Sequence, residues 1–297
     1  MNYRHAYHAG NFADVHKHFV LVAVLLHLRK KEKPFAVIDT HAGAGLYDLT
    51  ATEASKTLEA LEGIEELRGH AAQTPALKRY VEIVNSFGAQ YYPGSPLIAA
   101  KLLRPQDRLV AIEKHSEEFA ALKRSLVPFP NAAARSGDGY SELQSLLPPP
   151  ERRGVILIDP SYEAGDEMHA LARALTHAVR RFETGIFMVW HPLKVASDVQ
   201  SLVGEIQNAR PMKLLSLSID VGVENRTEAT KLHAAGVLVV NPPFGLEIEM
   251  RAATAELLPL LQRGPSAHLA VDWLSPDDER LQCGGPDSMF APPRTGG

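Results

Sequence analysis

Phe35-Ala36-Val37-Ile38-Asp39-Thr40-His41-Ala42-Gly43-Ala44-Gly45 passes from an apolar, β-branched run into an acidic residue and a Gly-x-Gly turn. The run has the composition of a strand covered on both faces of a parallel sheet. Glycines directly behind such a strand let the backbone approach a ligand at the carboxyl edge. Arg108 to Glu113, Val155 to Asp159 and Gly185 to Trp190 have the same character. Ala132 to Arg135 is a weaker strand candidate, and Leu214 to Asp220 and Gly236 to Val240 bring the number of expected strands to seven. Amphipathic segments separate them, so the chain is read as α/β, a Rossmann-like doubly wound sheet.

Ahead of the first strand, Ala13 to Lys31 is apolar nearly all round in its middle, as a helix packed deep against a sheet would be, and Lys33-Pro34 stops it. The separation between the first two strands is far longer than one crossover helix needs. Leu58, Leu61, Ile64 and Leu67, then Leu77, Tyr80, Val81 and Val84, recur there at helical spacing. Residues 47–92 are therefore expected to form a helical insertion subdomain in a core made of residues 1–46 and 93–274. Residues 275–297, rich in Pro and Gly, are expected to be a disordered tail.

With 297 residues, 45% apolar and 22% charged, the chain is neither disordered nor collagen-like in composition. The longest apolar run, Phe19 to Leu28, is broken by His27 and is too short for a bilayer, and the N-terminus has no secretory pattern. Cys283 is the single cysteine, which excludes a disulfide framework and favours a cytoplasmic setting. The net charge of −4 gives no hint of a polyanionic partner. Its distribution does. In residues 1–33, Arg4, Lys17, Arg29, Lys30, Lys31 and Lys33 outnumber Asp14 and Glu32, and five histidines accompany them (His5, His8, His16, His18, His27). Such a local basic surface would suit phosphate contacts.

Four successive strands end in carboxylates or polar residues. Asp39 is followed by the glycine turn that includes Gly43. Glu113 is placed to accept hydrogen bonds from ribose hydroxyls, Asp138-Gly139 follows the third strand, and Asp159-Pro160-Ser161-Tyr162 follows the fourth. Each acid alone could cap a helix; four in sequence favour a ligand site.

Asp-Pro-x-Tyr after the fourth strand, with Asp-x-His-x-Gly-x-Gly after the first, resembles class I S-adenosyl-L-methionine-dependent methyltransferases that modify base amino groups. The opening from Tyr3 to His18, together with Asp39 to Gly45 and Tyr91-Tyr92-Pro93-Gly94-Ser95-Pro96-Leu97-Ile98-Ala99, resembles the ribosomal RNA large-subunit methyltransferase J family over residues 2–274. The resemblance implies methylation of N6 of an adenine in 23S ribosomal RNA by a monomer, on a mostly parallel sheet whose last strand is antiparallel. It implies that His18, His41, Gly43, Ser95, Glu113, Asp138, Gly139 and Asp159 contact the cofactor, with Lys17 close by, and that Tyr3 touches RNA. Asp159 and the Pro160 carbonyl would accept hydrogen bonds from the target amine, and Tyr162 would stack on the flipped base. The family usually has Pro where this chain has Ser161, which bears on the stiffness of the turn.

Asn241-Pro242-Pro243-Phe244 also matches the amino-methyltransferase pattern, but it follows the antiparallel strand and so should leave the opposite edge of the sheet. His5-x-x-His8 and His16-x-His18 lack thiolates and the i, i+4 spacing of a metal pair, so no metal is expected. The alternatives are methyl transfer to DNA adenine, to protein or to a small molecule, and a non-catalytic RNA-binding module with a residual cofactor pocket.

Overall fold

The computed structural model describes residues 5–162, 165–193, 196–223 and 232–274. Tyr3 and the tail from residue 275 therefore lie outside the described residues. The chain begins with a 3₁₀ turn, His5–Tyr7, and helix α1 (Phe12–Arg29). It continues through β1 (Ala36–Asp39), β2 (Leu46–Asp48), α2 (Thr52–Thr57), α3 (Ile64–Arg68), α4 (Pro75–Asn85), β3 (Tyr91–Pro93) and α5 (Ser95–Ala100). Then come β4 (Arg108–Glu113), α6 (Ser116–Ser125), β5 (Ala132–Ser136), α7 (Gly139–Leu146), β6 (Gly154–Ile158), α8 (Glu167–Arg181) and β7 (Ile186–Pro192). The last elements are α9 (Ala196–Ala209), β8 (Leu214–Asp220), β9 (Ala234–Val240), α10 (Leu246–Leu261) and β10 (His268–Leu274).

The main sheet has eight strands in the order β10-β8-β9-β7-β6-β1-β4-β5. Parallel pairing joins β5, β4, β1, β6 and β7, whereas β9 is antiparallel to both β7 and β8. The expectation of seven strands with one antiparallel strand is corrected by β10, which pairs antiparallel with β8 at the edge. Only Val271 of β10 is buried, so its sequence shows neither the continuous apolar run of a covered strand nor a clean alternation.

Alternate residues of the central strands feed two cores, as the pleat requires. Val37, Val155 and Leu157 face α1, α4, α5 and α10, and Ile38, Ile156 and Ile158 face α8 and α9. Nearly every residue of α1 is buried. Its start is set by Asn11, whose side chain accepts a hydrogen bond from the Asp14 amide at 2.9 Å. Within residues 47–92, β2 pairs with β3 and the buried face of α4 packs on α1, so this segment shares the larger core. Among the described residues no helix is long and apolar enough to cross a membrane.

Candidate active site

The carboxyl ends of β1, β4, β5, β6 and β7 and the amino end of α1 surround one cavity of about 700 Å³. It is lined by Lys17, His18, His41, Gly43, Ser95, Glu113, Asp138, Gly139, Asp159, Pro160 and Tyr162, so every site residue expected from sequence and described in the structure reaches it. Asn241 does not. Its amide donates to the Lys213 carbonyl and its side chain to the Gly185 carbonyl, just ahead of β7, which places it at the amino edge of the sheet.

Asp159 is bound to α1. Lys17 Nζ lies 2.5 Å from Asp159 Oδ2 and 2.8 Å from Asp14 Oδ1, and both Lys17 and Asp14 are almost fully buried. Asp14 Oδ2 in turn accepts from the Gly10 amide at 3.0 Å and pairs with His5 Nε2 at 2.9 Å. Burial opposes charge on Lys17, but Asp14 and Asp159 outweigh it and hold the ammonium well above the usual lysine range. Against the same burial, His5 and Lys17 keep Asp14 well below the usual carboxylate range. Asp14, Lys17 and Asp159 form a charged chain from the start of α1 to the end of β6, which the His5 contact ties to the N-terminal turn. Asp14 carried no individual signal in the sequence beyond its i, i+3 spacing to Lys17.

The acids at the strand ends divide into different roles. Glu113 accepts the Gly43 amide on Oε2 at 2.9 Å and the His115 amide on Oε1 at 2.7 Å, which fixes its carboxylate at the cavity wall with acceptor capacity to spare. Asp138 does cap α7, through the Ser141 amide at 3.1 Å, while its other oxygen meets Lys114 at 3.0 Å. Burial would raise its pKa, but Lys114 and Ser141 together lower it. Asp39 is buried behind the cavity rather than in its lining. Ser95 Oγ donates to it at 2.6 Å, and burial raises its pKa to about 7.

Two imidazoles are tuned toward neutrality. Burial lowers His41 to about 4; its Nδ1 lies 2.8 Å from Thr40 Oγ1, and its ring meets Tyr140 edge-on at 5.1 Å. His18 is pushed well below its ordinary value, first by burial and then by Lys17. Tyr92 Oη lies 2.6 Å from His18 Nδ1 and 2.9 Å from Tyr80 Oη. With Tyr80 donating to Tyr92 and Tyr92 to Nδ1, the proton sits on Nε2, a buried donor without a partner among the described residues. Such a donor beside the cavity suits a polar or anionic group of a bound molecule.

Tyr162 adopts φ +54°, a conformation costly for a bulky residue, so the turn after β6 is held under strain. Its hydroxyl donates to the Trp190 carbonyl at 2.7 Å, and its ring is tilted against Trp190 with 5.7 Å between centroids. Trp190, Tyr140 and Glu167 also line the cavity. The positions of Trp190 and Tyr140 gave little warning, since an aromatic residue on or beside a core strand is most often packing, and Glu167 reads as an ordinary acid in the first turn of α8.

Glycine serves loop packing at Gly139. A Cβ there would stand 2.2 Å from the Thr40 carbonyl oxygen, so the turns after β1 and β5 can approach each other only without a side chain. The histidine-rich arm is held by carboxylates: His8 Nδ1 lies 3.0 Å from Glu59 Oε1, and Asn11 Nδ2 donates to Glu59 at 2.9 Å, so the 47–92 segment contributes to the cavity wall.

The family model described as Ribosomal RNA large subunit methyltransferase D, RlmJ matches residues 32–275. The chain belongs to this family. It is 36% identical over 281 residues to the Ribosomal RNA large subunit methyltransferase J of Escherichia coli K12, an alignment covering 93% of this chain and 100% of that protein. The protein of the same description from Haemophilus influenzae is 34% identical over 282 residues, with the same coverage. The crystal structure of a Legionella pneumophila protein superposes with a TM-score of 0.80 at 31% identity, over 91% of this chain and 99% of that one. Because the RlmJ family match begins at residue 32, α1 with Lys17 and His18 lies ahead of it; the near full-length relatives extend the likeness into the amino-terminal part.

The basic N-terminal segment is not one surface. Lys17 is in the site, but α1 carries the chain away from the carboxyl edge at about 1.5 Å per residue, so Arg29 and Lys30 lie roughly 20 Å off, beside the amino ends of the central strands. The expectation of one local basic surface over residues 1–33 is corrected by the direction of this helix.

Proposed function

We propose that this protein transfers the methyl group of S-adenosyl-L-methionine to N6 of an adenine in 23S ribosomal RNA. The observation that carries the proposal is the convergence of Asp159, Pro160 and Tyr162 with Glu113, Asp138 and His41 around one cavity at the carboxyl edge of the sheet. The names of the two relatives support a ribosomal RNA substrate.

In this reading Glu113 uses its spare acceptor sites on ribose hydroxyls, the backbone at Gly43 and the Asp138-Gly139 turn surround the nucleoside, and His18 Nε2 and Ser95 face the amino-acid end. When bound, the cofactor supplies an electrophilic methyl group. The chain positions its acceptor. An adenine amine is conjugated with its ring, and acceptors at Asp159 and the Pro160 carbonyl draw both N–H groups into a geometry that frees the lone pair for in-line attack. Lys17 Nζ, 2.5 Å from Asp159 Oδ2, holds that carboxylate in place beside the amine. The methylated nitrogen is a strong acid, and Asp159 takes its proton. Tyr162 and Trp190 form the aromatic wall against which a flipped base would stack. Residues 1–46 and 93–274 are taken as the methyltransferase core, residues 47–92 as an insertion forming one wall, and the working form as a cytoplasmic monomer.

The test is incubation with labelled S-adenosyl-L-methionine and protein-free 23S RNA, followed by nucleoside identification. Label in N6-methyladenosine is expected. Asp159→Asn should lower the rate by about 10²-fold or more, whereas Asn241→Ala, at the other edge, should retain it. Label confined to protein or small molecules would overturn the proposal, and loss of activity in folded Asn241→Ala but not in Asp159→Asn would overturn the site.

A further inference from the structure

At the pole opposite the cavity, the end of α1 and the entries to β1, β4 and β6 meet. Arg29, Lys30, Lys31 and Lys33 lie on the helix end and the loop behind it; Arg152 and Arg153 precede β6. These six cations form no ion pair among the described residues, although nearby carboxylates exist. Asp107 is taken up by Arg104 at 2.8 Å and Glu151 by Arg108 at 3.0 Å; Glu32 in the same loop and Glu249 near Lys30 leave the cluster with a cationic excess of four.

The loop that presents them is shaped from beneath. Arg104 donates to the carbonyls of Lys31 at 2.9 Å and Lys33 at 3.1 Å, and Arg153 donates to Lys33 at 3.0 Å and to Leu28. Both guanidinium groups lie over the Phe35 ring. The helix dipole favours a cation or two in the last turn, not six across three segments. His27 reports the same crowding: burial first, then Lys30, Arg153 and Lys31, lower its pKa.

We infer that this pole is a second contact for the RNA substrate, gripping phosphates remote from the target adenine. Mutually repelling, preorganised cations gain most from a polyanion that replaces their counterions. A large ribosomal RNA can reach both poles, since they are separated by only roughly 20 Å along α1. The inference rests on the proposed RNA substrate; the contact carries no base information and would act on affinity alone.

The test compares wild type with the triple substitution K30Q/K31Q/K33Q, at exposed positions outside the site, and with K30R/K31R/K33R. Binding to a long, protein-free 23S RNA fragment is followed against salt. Each phosphate contact adds about 0.7 to 0.9 to the logarithmic salt slope, so the Gln variant should lose about 2 while the Arg variant keeps the wild-type slope. In methylation assays KM for the long RNA should rise about tenfold in the Gln variant with kcat unchanged, and KM for a short hairpin carrying only the target should not move. Equal salt slopes for wild type and the Gln variant would overturn the inference. So would binding to phosphatidylserine vesicles that the Gln substitutions abolish while the RNA slope stays the same. If wild type transferred no methyl group to RNA, the functional proposal would fail, and the slopes would still decide whether this pole holds RNA.

Discussion

Acidification from pH 7.5 to 5 should destabilise the fold through two imidazoles that no proposed step uses. His16 on α1 and His191 on β7 are each 1% exposed, and His16 Nδ1 and both ring nitrogens of His191 lack partners among the described residues. Burial lowers His16 to about 3, with His191 adding to the effect, and lowers His191 to about 4. In the unfolded chain both titrate near 6.5. Above that value they are neutral in both states and cost nothing. Below it the unfolded state binds protons that the folded state refuses, so stability falls with pH until the folded values are reached. At about 1.4 kcal/mol per pH unit, the 1.5 units between 6.5 and 5 cost about 2 kcal/mol per ring and about 4 kcal/mol for the pair. Asp39 works in the opposite direction. With its folded pKa raised to about 7, it binds a proton first in the folded state, and stability is regained as pH falls through 7 toward the ordinary value of 3.8. Since Asp39 is unchanged in His16→Leu/His191→Leu, the difference between that variant and wild type isolates the histidines. Urea unfolding at pH 7.5, 6.5, 5.5 and 5 should show wild type losing about 4 kcal/mol more than the variant. Parallel curves, or native imidazole NMR signals titrating near 6.5, would refute the reasoning.

Lys17→Met removes the cation shared by Asp14 and Asp159, leaving Asp159 without its ion-pair partner and buried Asp14 with only His5 and the Gly10 amide. A loss of about 3–5 kcal/mol is expected, measured by denaturant unfolding at pH 7.5; a loss under about 1 kcal/mol would count against the charged chain. Gly139→Ala places a Cβ 2.2 Å from the Thr40 carbonyl oxygen, so two backbones must separate. Overpacking of this kind costs about 1–3 kcal/mol, and titration calorimetry with S-adenosylhomocysteine should show weaker binding than wild type; unchanged melting and affinity would show that the turns can part freely.

The central strands were legible because burial on both faces leaves an unbroken apolar signature, as in Val155 to Ile158. The edge strand β10 was not, because only one side of it pairs and little of it is covered. Within the site, Glu113, Asp138 and Asp159 could be found from their position just past strands. Asp14, Trp190 and Tyr140 could not, since in isolation they look like a helix-start acid and two core aromatics. Asp138 shows that the two readings of a strand-end acid are compatible, for it caps α7 and lines the cavity together.

The chain's own order determined its strands, the long amphipathic segment between β1 and β4, and the Asp-Pro-x-Tyr turn, because these depend on spacing between neighbours a few residues apart. Tertiary structure alone decided which groups meet. Lys17 reaches Asp159 across a sequence separation of 142 because α1 packs on the sheet with its amino end at the carboxyl edge. The same packing carries Arg29 to Lys33 to the other pole, so cations that look like one basic arm in sequence serve opposite ends of the molecule. A rigid helix converts sequence distance into spatial separation, and only its docking direction says which end faces the chemistry.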